Sequence, residues 1–390
     1  MAIVGGGIVG MTTALLLSKE TSLRIALFEQ KPLLFQFKKE KYGERTSAIS
    51  LASIKIFQQL SCFQSMVEKR IAPYLKMHVW DGQGKLDFDA KDVGVECLGY
   101  MIEDQVIQVA LFEKLKMSTV DIFSPCELHA IHKKENGIEL VYDENHVIQA
   151  KLLIGADGAN SFVREKLHIP FKTINYDQTA IILHVKTELS HEKIASQRFL
   201  KDGPLAFLPL DDPHISSIVW SVKNSSVDTL LNISDDDFRK KLSGSFEYRL
   251  GNVTEMLGSR KSFPLRMRHV DHYILSHVAL VGDAAHTLHP LAGQGVNLGL
   301  LDALTLATVV IEAHQKKREF FSFSTLRKYE RARKSDVTLM ITMVNLLNQL
   351  FSNDVKLLKE LRGGGLRLIN RLPWIKNFFV EYALGRHIIQ

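Results

Sequence analysis

The chain of 390 residues has only three cysteines, Cys62, Cys97 and Cys126. They are odd in number and far apart, and none stands in a CxxC or Cys/His spacing. That excludes a disulfide scaffold and a cysteine-based metal centre, and it predicts inert thiols in a reducing cytoplasm. Long hydrophobic runs are also missing. The longest apolar helix candidate, "LMITMVNLLNQLF" at 339–351, is broken by two Asn and a Gln and falls short of the roughly 20 residues that cross a bilayer. The first residues enter a strand and a glycine turn directly, without the basic and apolar pattern of a secretory leader. Internal repeats and low-complexity stretches are absent. Hydrophobic residues at 46% and charged residues at 24% match an ordinary globular chain, so neither a disordered nor a membrane-embedded body is expected.

The net charge of +6 is unevenly distributed. Residues 316–390 hold 15 Lys/Arg and 6 Asp/Glu, so the positive excess lies at this end while residues 1–315 carry −3. Basic helices with apolar faces suit an anionic membrane surface or a partner protein, although a solvated helical face has the same composition. No nucleic-acid partner is expected, and a homo-oligomer is left open.

"AIV" (2–4), "GGGIVG" and the helical spacing of 11–20 lead into a strand at 24–30, giving a β-α-β unit. Helical patterning resumes over 51–70 and 104–117, with alternating strands at 74–81 and 85–90 between them. Residues 137–167 predict a hairpin whose second arm continues into "LLIGADG". From about 170 to 275, strand runs such as "TAIILHVKT" and "HISSIVWSVK", with one polar helix near 234–243, predict an antiparallel sheet with one covered face. "VALVGDAAH" (278–286) returns to the style of a buried parallel strand, and 295–390 reads as almost wholly helical.

Gly5, Gly7 and Gly10 fit G-x-G-x-x-G between a strand and a helix. The first glycine allows a tight turn, the second lets a pyrophosphate approach the backbone, and the third lets the helix pack on the strand. Glu29, at the end of the second strand, stands where a carboxylate accepts hydrogen bonds from an adenosine ribose. Together these residues predict dinucleotide binding at a helix N-terminus. No second such motif follows, so a dedicated nicotinamide-binding domain is not expected.

"GGGIVG" with Glu29, "LLIGADGANSFVRE" (152–165) and "ALVGDAAHTLHPLAGQGVNLGLLDA" (279–303) resemble the three signature segments of the single-component flavin-dependent aromatic hydroxylases. Within that family, "GERTSAIS" (43–50), "GPLAFLPL" with "SSIVWSV" (203–222), "YERARKSDVTLMITMVNLLNQLF" (329–351) and "LRGGGLRLINRLPWIKNFFVEYALG" (361–385) resemble the ubiquinone-biosynthesis hydroxylases. The bacterial enzymes acting at C5 of a polyprenylphenol ring are the most similar.

The resemblance implies an α/β fold: a Rossmann-like FAD-binding domain of the glutathione-reductase type, an inserted antiparallel sheet domain for substrate, and a helical C-terminal region. The expected boundaries are 1–72, 98–170 and 271–315 for the first, 73–97 and 171–270 for the second, and 316–390 for the third. It implies FAD as cofactor, NADPH as a transient donor, O2 as co-substrate, and ring hydroxylation through a flavin C4a-hydroperoxide. A polyprenylphenol lipid is the implied substrate, handled at the inner membrane or in a ubiquinone-biosynthesis complex.

Residue by residue, Asp283 is expected on the ribityl chain, and Pro290, Gly293, Gln294, Gly295, Val296 and Asn297 at the pyrimidine edge and pyrophosphate. Arg45 is expected near the pyrophosphate, Asp157 along the cofactor, and Gln108 beside it. Bare backbone suits the last stretch, because reduced flavin carries negative charge near N1 and O2 and a helix start offers unobstructed donors. His286 and His289 read as packing or capping residues before they read as bases. Tyr176, Trp220 and "FPLRMRH" (263–269) are candidates for a substrate cavity, with sheet core as the competing reading. No catalytic base is identified. A hydroxylase of a small soluble aromatic, an FAD-containing assembly subunit and an FAD-dependent dehydrogenase or oxidase remain alternatives.

Overall fold

The computed structural model describes residues 1–81, 84–288 and 295–352. Its first sheet is the nucleotide-binding layer, six strands in the order β18 (Ile274–Leu275), β19 (Val278–Leu280), β12 (Leu153–Gly155), β1 (Ala2–Val4), β2 (Ala26–Phe28) and β8 (Asp121–Phe123). All neighbours are parallel except β18 and β19. The central strands are short and buried throughout, as expected of a parallel sheet covered on both faces. Helices α1 (Ile8–Glu20), α4 (Asp104–Leu115) and α8 (Gly295–Gln315) belong to this layer, and their apolar faces share one core with the strands.

Two small sheets flank it. One is β3 (Thr46–Ser50), β7 (Gly99–Glu103) and β4 (Ala72–Tyr74); the other is β9 (Leu128–Lys134), β10 (Gly137–Tyr142) and β11 (His146–Ala150). The expected hairpin is thus β10–β11, but its second arm stops at Ala150. The exposed Lys151 turns the chain, and Leu153–Gly155 joins the parallel sheet instead. The helical stretch over 51–70 is two helices, α2 (Leu51–Gln59) and α3 (Phe63–Lys69), broken where Ser61 takes φ 56°.

The large sheet has eight strands in the order β20 (His286–Thr287), β17 (Val253–Val270), β13 (Phe171–Thr187), β16 (Ile215–Lys223), β15 (Gly203–Pro209), β14 (Ile194–Leu200), β5 (Lys76–Trp80) and β6 (Lys85–Asp89). It is antiparallel except for β14 and β5, which come from distant parts of the chain and need no hairpin between them. Both faces are covered, not one. On one face Trp220, Ile218 and Phe207 pack under α6 (Asn224–Asn232) and α7 (Asp235–Ser245). Helix α7 starts at Ser234, whose hydroxyl caps Asp237 N–H, and it carries three aspartates in its first turn against the helix dipole. On the other face Met267 packs with α8 and with α9 (Phe323–Ser352). A short helix α5 (Phe162–Lys166) follows β12.

Among the described residues the longest apolar helix is α8, not 339–351. By length and composition it could cross a membrane, yet more than half of it is buried within the protein.

Candidate active site

Strand β1 ends at Gly5, whose φ is +110°, and a Cβ there would lie 2.3 Å from the Ala156 carbonyl oxygen. A Cβ on Gly10 would meet the Gly5 oxygen at 1.9 Å, whereas one on Gly7 would meet nothing within 4 Å. The loop is therefore pressed tight at both ends and open in the middle. Helix α1 begins next to that opening with no side-chain cap and no acidic residue in its first turn, which leaves it receptive to an anion. Glu29 reaches over the loop: its carboxylate accepts from Gly6 N–H at 2.6 Å and from Lys31 N–H at 3.0 Å.

The second segment is fixed to the first by the Gly5–Ala156 contact. Asp157 accepts from the Ser161 hydroxyl at 2.6 Å and from Val163 N–H at 3.0 Å, so its carboxylate caps α5. Burial raises its pKa, against those hydrogen bonds. Arg164 then bridges segments, donating to the carbonyls of Ala159 at 2.7 Å and Ala284 at 2.9 Å.

The third segment closes on Val9. A Cβ on Gly299 would sit 2.6 Å from the Val9 side chain and 3.2 Å from Gly282 Cα, so glycine is what lets α8, α1 and the Gly282 turn meet. Asp283 follows Gly282, whose φ is +60°, and its side chain is open to solvent. It is nonetheless recessed: surrounding protein raises its pKa, while His286 and Arg45 pull the other way. The distant glycine segments and an accessible acid thus share one cleft.

Arg45 stands at its rim, 3.8 Å from Asp104 and 5.5 Å from the Phe263 ring. Its loop is held from behind. Arg70 pairs with buried Glu103 and donates to the Lys39 and Lys41 carbonyls at 2.9 Å, Glu103 accepts from Gly43 N–H, and His184 Nε2 bonds the Gly43 carbonyl. Burial lowers the pKa of His184, and since a carbonyl only accepts, its Nε2 donates. Gln108 lies partly buried on α4.

Helix α8 places Gly295 and Val296 in its first turn, where N–H groups have no intrahelical acceptor. The Asn297 side chain is committed inward: Oδ1 accepts from Ser50 N–H at 2.9 Å and the Ser53 hydroxyl at 2.8 Å, and Nδ2 donates to the Ala48 carbonyl at 2.8 Å. Pro290, Gly293 and Gln294, like His289, lie outside the described residues.

Of the cavity candidates, Trp220 belongs to the opposite face of the sheet with Phe238 and Leu242. Tyr176 and Met267 lie on the cleft side, where Leu298, Val337, Met340 and Ile341 form an apolar cluster beside the start of α8. Tyr176 also donates to Asn345 Oδ1 of α9 at 2.5 Å. His286 is buried against Asp302 rather than directed into the cleft. Sequence reading missed Asp302, and it counted Arg333 within the positive excess of 316–390 although its side chain is 1% exposed. The available signal was an aspartate inside the apolar run of α8.

The FAD binding domain family matches residues 1–343. The chain is 35% identical over 387 residues to the 3-demethoxyubiquinol 3-hydroxylase of Escherichia coli (strain K12), covering 99% of this chain and 98% of that one. It is 32% identical over 385 residues to the ubiquinone hydroxylase UbiL of Rhodospirillum rubrum, covering 98% and 89%. The p-nitrophenol 4-monooxygenase PnpA of Pseudomonas putida DLL-E4 shares the fold, with a TM-score of 0.77 at 18% identity over 99% of this chain and 98% of that one. Full-length similarity at this level, on a chain whose glycine segments converge on one cleft, means that the protein belongs to the FAD-dependent monooxygenases of ubiquinone biosynthesis.

Proposed function

We propose that the chain hydroxylates the aromatic ring of a polyprenylphenol on the route to ubiquinone, with O2 as co-substrate and NADPH as transient electron donor. The observation that carries the substrate reading is the apolar cluster of Met267, Leu298, Val337, Met340 and Ile341 next to the first turn of α8. Methionine and branched aliphatic side chains suit an isoprenoid tail, and they exclude water from the ring end of the cleft.

The residues fit FAD. Gly7 leaves room for a phosphate at an uncapped helix start, and Asp283 offers an accessible carboxylate in the same cleft. When bound, the flavin supplies the redox and oxygen chemistry; the chain supplies position, charge and dryness. In this reading Gly5, Gly7 and Gly10 admit the pyrophosphate, Glu29 holds the adenosine ribose and Arg45 offsets phosphate charge. Asp283 accepts from the ribityl hydroxyls. The segment from Pro290 through Gly293, Gln294, Gly295 and Val296 to Asn297 presents backbone donors to the pyrimidine edge. Gln108 lies beside the cofactor, and Asp157 acts by fixing the second segment against the first. Residues 1–72, 98–170 and 271–315 form the cofactor domain, 73–97 and 171–270 the substrate domain, and 316–390 the helical region.

Contact with an anionic membrane surface or a biosynthetic complex falls to the exposed Lys316, Lys317 and Arg331. Arg333 is withdrawn from that surface by its buried ion pair, and Lys334 donates to the Asp271 carbonyl. The test is mass spectrometry of the quinone intermediate that accumulates when the gene is deleted, with 18O2 labelling of the product of the purified enzyme. An accumulating precursor lacking one ring oxygen, and label in the product, are expected. An unchanged quinone profile, or oxidation without label, would sink the reading.

A further inference from the structure

Behind the Gly282–Asp283 turn lies a buried cluster of charge. One oxygen of Asp302, Oδ2, accepts from Gly282 N–H at 3.0 Å and stands 2.6 Å from His286 Nε2. The other, Oδ1, accepts from Arg333 Nε of α9 at 2.8 Å. Asp302, His286 and Arg333 are each no more than 1% exposed. Arg333 also donates to Asp336 at 2.9 Å, and neighbouring Tyr329 donates to the Leu280 carbonyl at 2.7 Å. Burial alone would drive the Asp302 carboxyl toward its neutral form, but His286 and Arg333 outweigh it and hold the pKa below the ordinary carboxylate range.

A cluster like this is a poor source of stability, because apolar residues of the same volume would serve as well or better once desolvation is counted. Its geometry is specific, however. A single carboxylate oxygen fastens Gly282 on one side of Asp283 and His286 on the other, so it clasps both ends of the turn that presents Asp283. Gly282 is itself in the left-handed region, which glycine enters without steric cost.

We propose that Asp302 is a positioning residue for Asp283, steadied by Arg333, so that FAD affinity depends on a contact delivered by helix α9. This rests on the ribityl role assigned above to Asp283. Asp302 itself touches no cofactor; it fixes the orientation of the residue that does, as outer partners of binding groups do elsewhere.

The test measures the FAD Kd of the deflavinated full chain by flavin fluorescence for D302N, R333Q, R333K, D283N and the D302N/D283N double variant, with apo-protein melting followed separately. D302N and R333Q are expected to raise Kd about tenfold or more, with R333K recovering most of the loss. The double variant should bind no more than about twofold weaker than D283N alone, since Asp302 acts only through Asp283. A purely structural Asp302 would lower apo-protein melting without that coupling. Additive losses in the double variant, or a wild-type Kd in folded D302N while D283N is weakened, would overturn the inference alone. A wild-type Kd in D283N would overturn the role of Asp283 and this inference with it. Should D302N not fold, H286Q, which releases only one end of the turn, is read against the same criteria.

Discussion

A methyl group added at Gly10 would lie 1.9 Å from a backbone oxygen, whereas one added at Gly7 would meet nothing within 4 Å. The two positions therefore separate folding from binding. Gly10→Ala is expected to cost about 3 kcal/mol or more in chemical denaturation, since backbone cannot yield as a side chain would. Gly7→Ala should melt like the wild type and bind FAD about tenfold more weakly, because its methyl stands where the phosphate must come close. A second prediction concerns His269, whose pKa is lowered to about 4 by burial and by the charges of His286 and Lys334. The folded ring stays neutral where the unfolded one is protonated, so the unfolded state binds more protons between pH 6.5 and 4 and stability falls as pH falls through that window. The slope is at most about 1.4 kcal/mol per pH unit. Denaturation at a series of pH values should show it, and His269→Gln should flatten it. Sequence reading reached Gly5, Gly7 and Gly10 because their spacing is a local pattern, even though Gly5 itself is pressed against the distant Ala156. It did not reach Asp302 and Arg333, which are 31 residues apart and meet only through tertiary packing that leaves no local pattern.

Among the elements, β17 and α9 show how periodicity informs and misleads. Alternation along β17 was legible, and Phe263, Met267 and His269 do share the cleft side, touching Arg45, Leu298 and Tyr273 respectively. Which side a strand residue occupies was not legible for Trp220, because both faces of that sheet are covered by apolar layers and alternation carries no label for inside or outside. In α9 the inward stripe changes character along its length, from Tyr329 and Arg333 against the Gly282 turn to Val337, Met340 and Ile341 against the sheet. Tyr176 bridges that second half to β13. Tyr176→Phe removes one hydrogen bond, about 1 kcal/mol, and should raise KM for a tail-bearing substrate severalfold with little change in kcat. Trp220→Phe should cost about 1–2 kcal/mol in stability and leave KM unchanged. Equal effects on KM would show that the two faces are not functionally distinct.

At the scale of the whole molecule, exposed basic side chains extend from the end of α8 into α9 among the described residues. Lys316 and Lys317 follow the end of α8, and Arg331 faces outward from α9. Neutralising these three with glutamine should weaken sedimentation with anionic vesicles and make the residual binding less sensitive to salt, since each basic group near such a surface contributes about 1 kcal/mol. Unchanged sedimentation would remove the membrane surface as a partner. Neutralising Arg333 belongs to a different experiment, because its charge is spent inside the protein.

That buried charge also bears on how the chain is made. Residues 295–315 leave the ribosome while Arg333 is still inside the exit tunnel, and for that interval they are an apolar stretch of the length that translocation machinery accepts as an anchor. An unpaired aspartate near the centre of such a stretch adds about 3 kcal/mol to the cost of insertion. Asp302 therefore weighs against the bilayer during synthesis, until the downstream guanidinium arrives to neutralise it in the finished core.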